Sequence, residues 1–313
     1  MSDVWFGYHL PLYTFPGVQP EGLFDHVAGL AQAAEANGFS LVTVMDHFYQ
    51  IRGVGPETAP MLEAYATLAA LATRTRTVRL GTLVSGVTYR NPAILAKQVT
   101  TLDVISGGRA ILGMGAAWNE DEHAGYGVDF PGVAERMDRL DEALTIAHAM
   151  FTQDRPSFTG RYYRIDRALN SPRPIQPGGP PILVGGGGEQ RTLKIAAAHA
   201  AMTHWFPLGL PTLLHKKEVL ARHCEAIGRD PSTIELTMAT PVLLAGDDRE
   251  ADRLLATIPA ERRANVRPGT PEQAAEGLRP YIEAGFTGFT YNDNVLPTPE
   301  SLELAGDLLR LVR

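Results

Sequence analysis

The chain has a single cysteine, Cys224, so it can close no internal disulfide, and a reducing compartment is the expected setting. No uninterrupted apolar run approaches the roughly eighteen residues of a membrane helix. The first residues, MSDVWFGYHL, lack the basic start and long apolar core of a secretion signal. A cytoplasmic protein that does not enter the membrane is therefore expected. No run of five basic residues occurs and the formal net charge is −7, which argues against a general nucleic-acid surface. Several signatures are missing as well. There is no Walker loop, no dinucleotide fingerprint, no Gly-x-Ser-x-Gly elbow around Ser85, and no His/Cys cluster at a metal-ligand spacing.

What is present is a repeated rhythm. The 313 residues, 44% of them hydrophobic, suffice for one large α/β domain. Short apolar runs read as strands at Val4–Leu10, Leu41–Met45, Val78–Val84, Ala110–Met114, Pro181–Val184, Ala201–Phe206, Ile234–Leu244 and Phe286–Tyr291. Helical patterns lie between them. Leu23, Val27, Leu30, Ala31 and Ala34 line one face of a helix ending at Asn37-Gly38. Ile94, Leu95, Val99, Leu102 and Ile105 form the stripe of a helix over Pro92–Ile105. Strand–helix–strand units of this kind imply parallel pairing and right-handed crossovers. Eight of them predict a (β/α)8 barrel spanning residues 1–313 as one domain. Gln153–Pro181 breaks the rhythm as an insertion before the fifth strand: Thr159-Gly160-Arg161 suggests a hairpin, and five prolines in Asn170–Pro181 suggest extended chain.

A barrel collects its strand ends on one face, where ligands bind. Asp46-His47, Val84-Ser85, Gly115–Asn119, Gly185–Gly188, His204–Phe206 and Tyr291–Asp293 would converge there. The tetraglycine Gly185–Gly188 follows a strand and precedes a helix, so its backbone amides could cradle a phosphate; the plainer reading is a turn that needs positive φ. His47 is suited to acid/base work because an ordinary imidazole titrates near neutrality; it could equally cap the strand. Glu120, Asp121 and Glu122 read as a solvated loop or helix start, and Trp118 as a rigid wall.

Five motifs occur in order: Asp46-His47-Phe48, Leu80–Ser85, Tyr89-Arg90-Asn91-Pro92, Leu102-Asp103 with Ser106 and Gly108-Arg109, and Gly113-x-Gly115-Ala116-x-Trp118-Asn119-Glu120. With the late tetraglycine they resemble the luciferase-like monooxygenase superfamily, and within it the branch that uses the deazaflavin coenzyme F-420. The resemblance implies a non-proline cis peptide at Leu83-Val84, bulging against the cofactor ring. It further implies that Asp46, Leu83, Val84, Ser85, Gly115, Ala116 and Asn119 hold the ring and ribityl chain, that Gly185, Gly186, Gly187 and Gly188 hold the phosphate, and that His47, ranked ahead of Glu122 and His123 as the acid, is the catalytic residue. A homodimer is the family's habit. Two departures stand out. The superfamily's sugar-phosphate dehydrogenases carry a glutamate where this chain has Ala116, and a tryptophan soon after Asp-His-Phe where it reads Tyr49-Gln50-Ile51. Phe48, Tyr49, Trp118, Trp205 and Phe206 would supply an aromatic substrate pocket suited to an enone or quinone. The implied function is hydride transfer between F-420 and a small organic substrate. A reduced-FMN monooxygenase and a non-catalytic flavin- or deazaflavin-binding protein are the alternatives.

Overall fold

The computed structural model describes residues 4–240, 242–258, 260–263, 266–292 and 297–313. Among the described residues eight barrel strands follow one another: β1 (Trp5–Leu10), β2 (Leu41–Val44), β3 (Arg79–Thr82, resuming at Ser85–Gly86), β4 (Leu112–Gly115), β5 (Ile182–Gly185), β6 (Met202–Trp205), β7 (Glu235–Ala239) and β8 (Phe286–Tyr291). All neighbours pair in parallel, and β1 pairs with both β2 and β8. A parallel bridge from Leu80 to Ala110 completes the ring beside the break in β3. The break itself is the cis peptide Leu83-Val84, as the resemblance implied.

Strand alternation sorts the side chains into two cores. Trp5, Leu41, Ile111, Leu183 and Met202 fill the barrel interior, with Leu83 and Val84 packed on them. The alternate residues, among them Phe6, Tyr8, Leu10, Val42, Val44 and Phe289, face outward into the larger core beneath the helices. The helices are α1 (Pro20–Ala36), α2 (Ala64–Arg74), α3 (Pro92–Ser106), α4 (Glu120–Tyr126), α5 (Val133–Thr152), α6 (Thr192–His199), α7 (Leu210–Ala226), α8 (Asp248–Thr257), α9 (Pro271–Glu283) and α10 (Pro299–Val312), with a short turn of helix at Ala260–Arg263. Cys224 is buried in α7. No described helix is long and apolar enough to cross a membrane.

Several expectations shift in detail. In α3, Leu95, Val99 and Leu102 are buried, whereas Ile94 and Ile105 are exposed, because the apolar stripe is wider than the face that meets the barrel. The predicted strand Ile234–Leu244 divides: β7 stays in the barrel, and Val242–Leu244 leaves it to pair with Arg267–Gly269 in a small parallel sheet. The insertion contains the antiparallel hairpin Phe158–Thr159/Arg164–Ile165 and a cis Ser171-Pro172 bond. The helix after the tetraglycine begins at Thr192 rather than near Glu189.

Candidate active site

The carboxyl ends of the strands carry a ring of polar side chains around the aperture. On β1 and β2 alternation turns His9 and Thr43 inward, and His9 Nδ1 lies 3.0 Å from Thr43 Oγ1. On β6 the same alternation turns His204 inward, where Nδ1 meets Thr237 Oγ1 at 2.9 Å and Nε2 meets Thr290 Oγ1 at 3.3 Å. Burial, and then the nearby His47, lowers the His9 imidazole to about 4. Burial, and then His9, lowers His204 to about 3. Both rings are therefore neutral at ordinary pH.

Where β3 breaks, Val84 projects between two glycines on neighbouring strands. A Cβ at Gly115 would come within 2.8 Å of Val84 Cγ2, and one at Gly185 within 2.9 Å. Ser85 next to it is fully buried; its hydroxyl is 3.0 Å from Thr82 Oγ1 and 3.1 Å from the Tyr65 hydroxyl. Burial and the charge of Asp46 push Tyr65 up to about 12, so it stays a neutral hydrogen-bonding group.

Asp46 and His47 leave the end of β2 side by side but meet different partners. Arg90 donates to both Asp46 oxygens, at 2.6 and 3.0 Å, and to Glu63 at 2.6 Å. Its guanidinium also lies over the Tyr65 ring at 4.9 Å. Burial works against the Arg90 cation, but Asp46 outweighs it and holds Arg90 above its ordinary value. Asp46 is thus occupied by a bidentate pair, which fixes the end of β2 to the start of α3. His47 Nδ1 instead lies 2.8 Å from Glu122 Oε2, and its ring meets Trp118 edge-on at 5.6 Å.

Glu122 departs from the reading of a solvated acidic trio: its side chain is 0% exposed. Helix α4 turns Glu122 and His123 inward while Glu120 and Asp121 face solvent. The carboxylate accepts from the Phe48 amide, the Tyr49 amide at 3.0 Å, the Tyr89 hydroxyl at 2.7 Å and His47. Burial opposes its charge, but the bonds from His47, Phe48 and Tyr89 prevail and hold it below the usual carboxylate range. Burial and donation to Glu122 push the Tyr89 phenol up. His123 is structural: it bonds Thr88 Oγ1 and the Asn119 carbonyl, each at 2.6 Å, and stacks on Tyr89.

The tetraglycine lies at the end of β5. The amides of Gly187 and Gly188 find no acceptor among the described residues. Lys216 of α7 donates to the Gly187 carbonyl at 2.6 Å and lies 3.4 Å from Glu189, placing a cation beneath the loop. Space for side chains is tight here: a Cβ at Gly187 would meet Lys216 Cδ at 3.1 Å, and one at Gly188 would meet Thr192 Oγ1 at 2.9 Å.

The expected aromatic pocket forms without Trp205 and Phe206. Trp205 is 1% exposed and packs edge-on against Phe286 in the outer core, because it lies on the face of β6 opposite Met202 and His204. Phe206 is 73% exposed and leaves the strand for solvent. The aromatic wall that does form comprises Phe48, Tyr49, Tyr89 and Tyr126, with neighbouring ring centroids 4.6 to 5.5 Å apart, and Trp118 lies against His47. Asn119 begins α4 without capping it through its side chain, and the Ala116 carbonyl accepts from Arg136 Nε at 3.0 Å. Asp293 lies outside the described residues. Tyr89, Arg90 and His9 join the site only in the folded chain, through Glu122, Asp46 and Thr43. Strand alternation marks His9, and the helical spacing of Glu122, His123 and Tyr126 marks the inner face of α4.

An all-parallel eight-stranded barrel with a broken third strand and a bare-backbone aperture defines a class, and comparison names it. The chain belongs to the luciferase-like monooxygenase family, whose model matches residues 5–286. It is 31% identical over 299 residues to the F-420-dependent glucose-6-phosphate dehydrogenase of Kineococcus radiotolerans, covering 85% of this chain and 86% of that one. The enzyme of the same name from Nocardia farcinica is 29% identical, with 93% of each chain covered. Among solved structures, an F-420-dependent secondary alcohol dehydrogenase in complex with an F-420–acetone adduct superposes with a TM-score of 0.81 at 20% identity, covering 99% of both chains. The EDTA monooxygenase of Chelativorans sp. gives 0.86 at 16% identity, covering 99% of this chain and 93% of that one. These two likenesses speak to the fold.

Proposed function

We propose that this protein is an F-420-dependent oxidoreductase in which His47 exchanges a proton with a small, uncharged carbonyl-type substrate. The observation that carries the reading is Val84 at the cis peptide, wedged between the bare backbones of Gly115 and Gly185. That surface suits a flat ring lying across the aperture, and at one edge the free amides of Gly187 and Gly188 can hold one, while buried Ser85 braces the bulge from behind through Thr82 and Tyr65. When bound, F-420 supplies hydride chemistry with little reactivity toward oxygen, since it has carbon where flavin has its reactive ring nitrogen. The chain's own part is to orient substrate over that surface, exclude water with its aromatic wall and handle the proton.

A sugar phosphate suits this mouth poorly. Three described cations at this end are already committed: Arg90 to Asp46 and Glu63, Arg136 to backbone carbonyls, and Lys216 to Gly187 and Glu189. Phe48, Tyr49, Tyr89, Tyr126 and Trp118 favour an apolar, planar acceptor such as an enone or quinone. Trp118 is 58% exposed, so Trp118→Ala should leave folding within about 0.5 kcal/mol of the parent. The same variant should raise KM for a planar acceptor about tenfold with kcat little changed; an unaltered KM would remove Trp118 from the substrate wall.

Fluorescence titration with F-420 and with FMN, each oxidised and reduced, tests the cofactor. F-420 should bind at least tenfold more tightly, a difference of ~1.4 kcal/mol. Preference for reduced FMN together with oxygen uptake would replace this reading by a monooxygenase. Binding of neither would end the cofactor assignment.

A further inference from the structure

We propose that Glu122 is a positioning residue that locks His47 in the Nδ1–H tautomer, leaving Nε2 as the atom that exchanges a proton with substrate. The catalytic consequence rests on the hydride-transfer reading above; the tautomer is a property of the chain alone.

Hydrogen-bond capacity decides the tautomer. An ionised carboxylate accepts at about four positions and donates at none. Glu122 meets four donors: the Phe48 and Tyr49 amides on Oε1, and Tyr89 OH and His47 Nδ1 on Oε2. The two amides can only donate, and the Tyr89 hydroxyl donates at 2.7 Å. An acceptor-only group at 2.8 Å from Nδ1 then requires the neutral imidazole to carry its proton there. The other nitrogen is left free on a side chain that is still 13% exposed at the mouth.

The charge of residue 122 points the same way. If its task were only to satisfy the amides of residues 48 and 49, a neutral glutamine would serve without burying a charge, which is costly. A glutamine oxygen bound to those amides would, however, turn its NH2 toward His47 and Tyr89. The ring would then have to accept at Nδ1 and carry its proton on Nε2. Only the carboxylate imposes the opposite state. The interaction joins two segments 75 residues apart, so the proton's position on His47 is set by the docking of α4 against the end of β2.

The experiment is 15N NMR of the full-length chain with labelled histidine, without cofactor, on the alkaline side of the imidazole titration; His47→Ala identifies the His47 signals among the nine histidines. In the parent, Nδ1 should show the shift of a protonated nitrogen and Nε2 that of an unprotonated one. In Glu122→Gln the two should exchange. Hydride transfer in that variant should fall on the order of 10²-fold in kcat with KM nearly unchanged, since the ring stays in place but presents the wrong nitrogen. A parent His47 protonated at Nε2 overturns the proposal, as does an exchanged tautomer with full turnover. If Glu122→Gln fails to fold, the parent spectrum still decides, and Tyr89→Phe provides a second test. It removes one donor from Oε2, leaves the contact with His47, and should preserve the Nδ1–H signal; its loss would overturn the proposal. Failure of the F-420 reading would show separately, as absent cofactor binding by a parent whose tautomer is as described.

Discussion

His47→Ala is expected to lower hydride transfer by about 10²–10⁴-fold while cofactor affinity stays within a few-fold of the parent, because positioned acid/base groups typically contribute that much. The variant should fold. Glu122, the charge that His47 helps to satisfy, keeps three donors after the change: the Phe48 and Tyr49 amides and the Tyr89 hydroxyl. Val84, Ser85 and the glycine loop belong to other segments of the chain, and the imidazole's hydrogen bond and ring contact go to Glu122 and Trp118. Stopped-flow measurement of hydride transfer beside equilibrium binding separates the two effects. Equal loss of transfer and binding would make His47 part of the scaffold, and full retention of transfer would move the proton to another group.

The largest stability effect is expected at Gly113. A Cβ there would run into the Thr82 carbonyl oxygen and come within 3.2 Å of Val84 Cγ1. Thr82 is the last residue before the break in β3, and its hydroxyl already donates to the Gly113 carbonyl at 3.1 Å. Gly113→Ala therefore either separates β3 from β4 or shifts the Leu83-Val84 bulge. Overpacking of this kind costs about 1–3 kcal/mol, occasionally more, and backbone against backbone belongs at the upper end. A fall in melting midpoint on the order of 6 °C follows, together with weakened cofactor binding because Val84 would move. Gly29→Ala is the contrast. Gly29 lies in α1 with nothing near its would-be Cβ, so that change should be neutral or stabilise by up to ~1 kcal/mol. An unchanged midpoint in Gly113→Ala would mean that the Thr82 carbonyl yields easily and that the bulge is not held from below.

Acid/base identity at the mouth shows how far local pattern reaches. His47 stands out in the sequence because it ends a short apolar run, whereas Glu122, an alternative acid at most, gives no sign of its burial among three consecutive acids that look alike. One α4 residue in that trio is buried because a helix turns about 100° per residue, and the face chosen depends on where α4 docks. Trp205 shows the reverse error. Its place at a strand end suggested a pocket wall, yet the period of two sends it outward once Met202 faces inward.

Element order, parallel pairing and the eightfold repeat were legible from the chain alone, because apolar periodicity and Gly/Pro punctuation are local signals that each segment carries with it. So were the glycines at the ends of β4 and β5, since a missing side chain is visible without a fold. The partners of each polar group were not. Asp46 with Arg90, His47 with Glu122 and Glu122 with Tyr89 lie 44, 75 and 33 residues apart. No local pattern encodes such contacts; they exist only after the barrel has brought the strand ends to one rim. Neighbouring residues of like type, such as Asp46 and His47 or Glu120 to Glu122, take different roles there because the direction of each side chain, and so its partner and charge state, follows from packing.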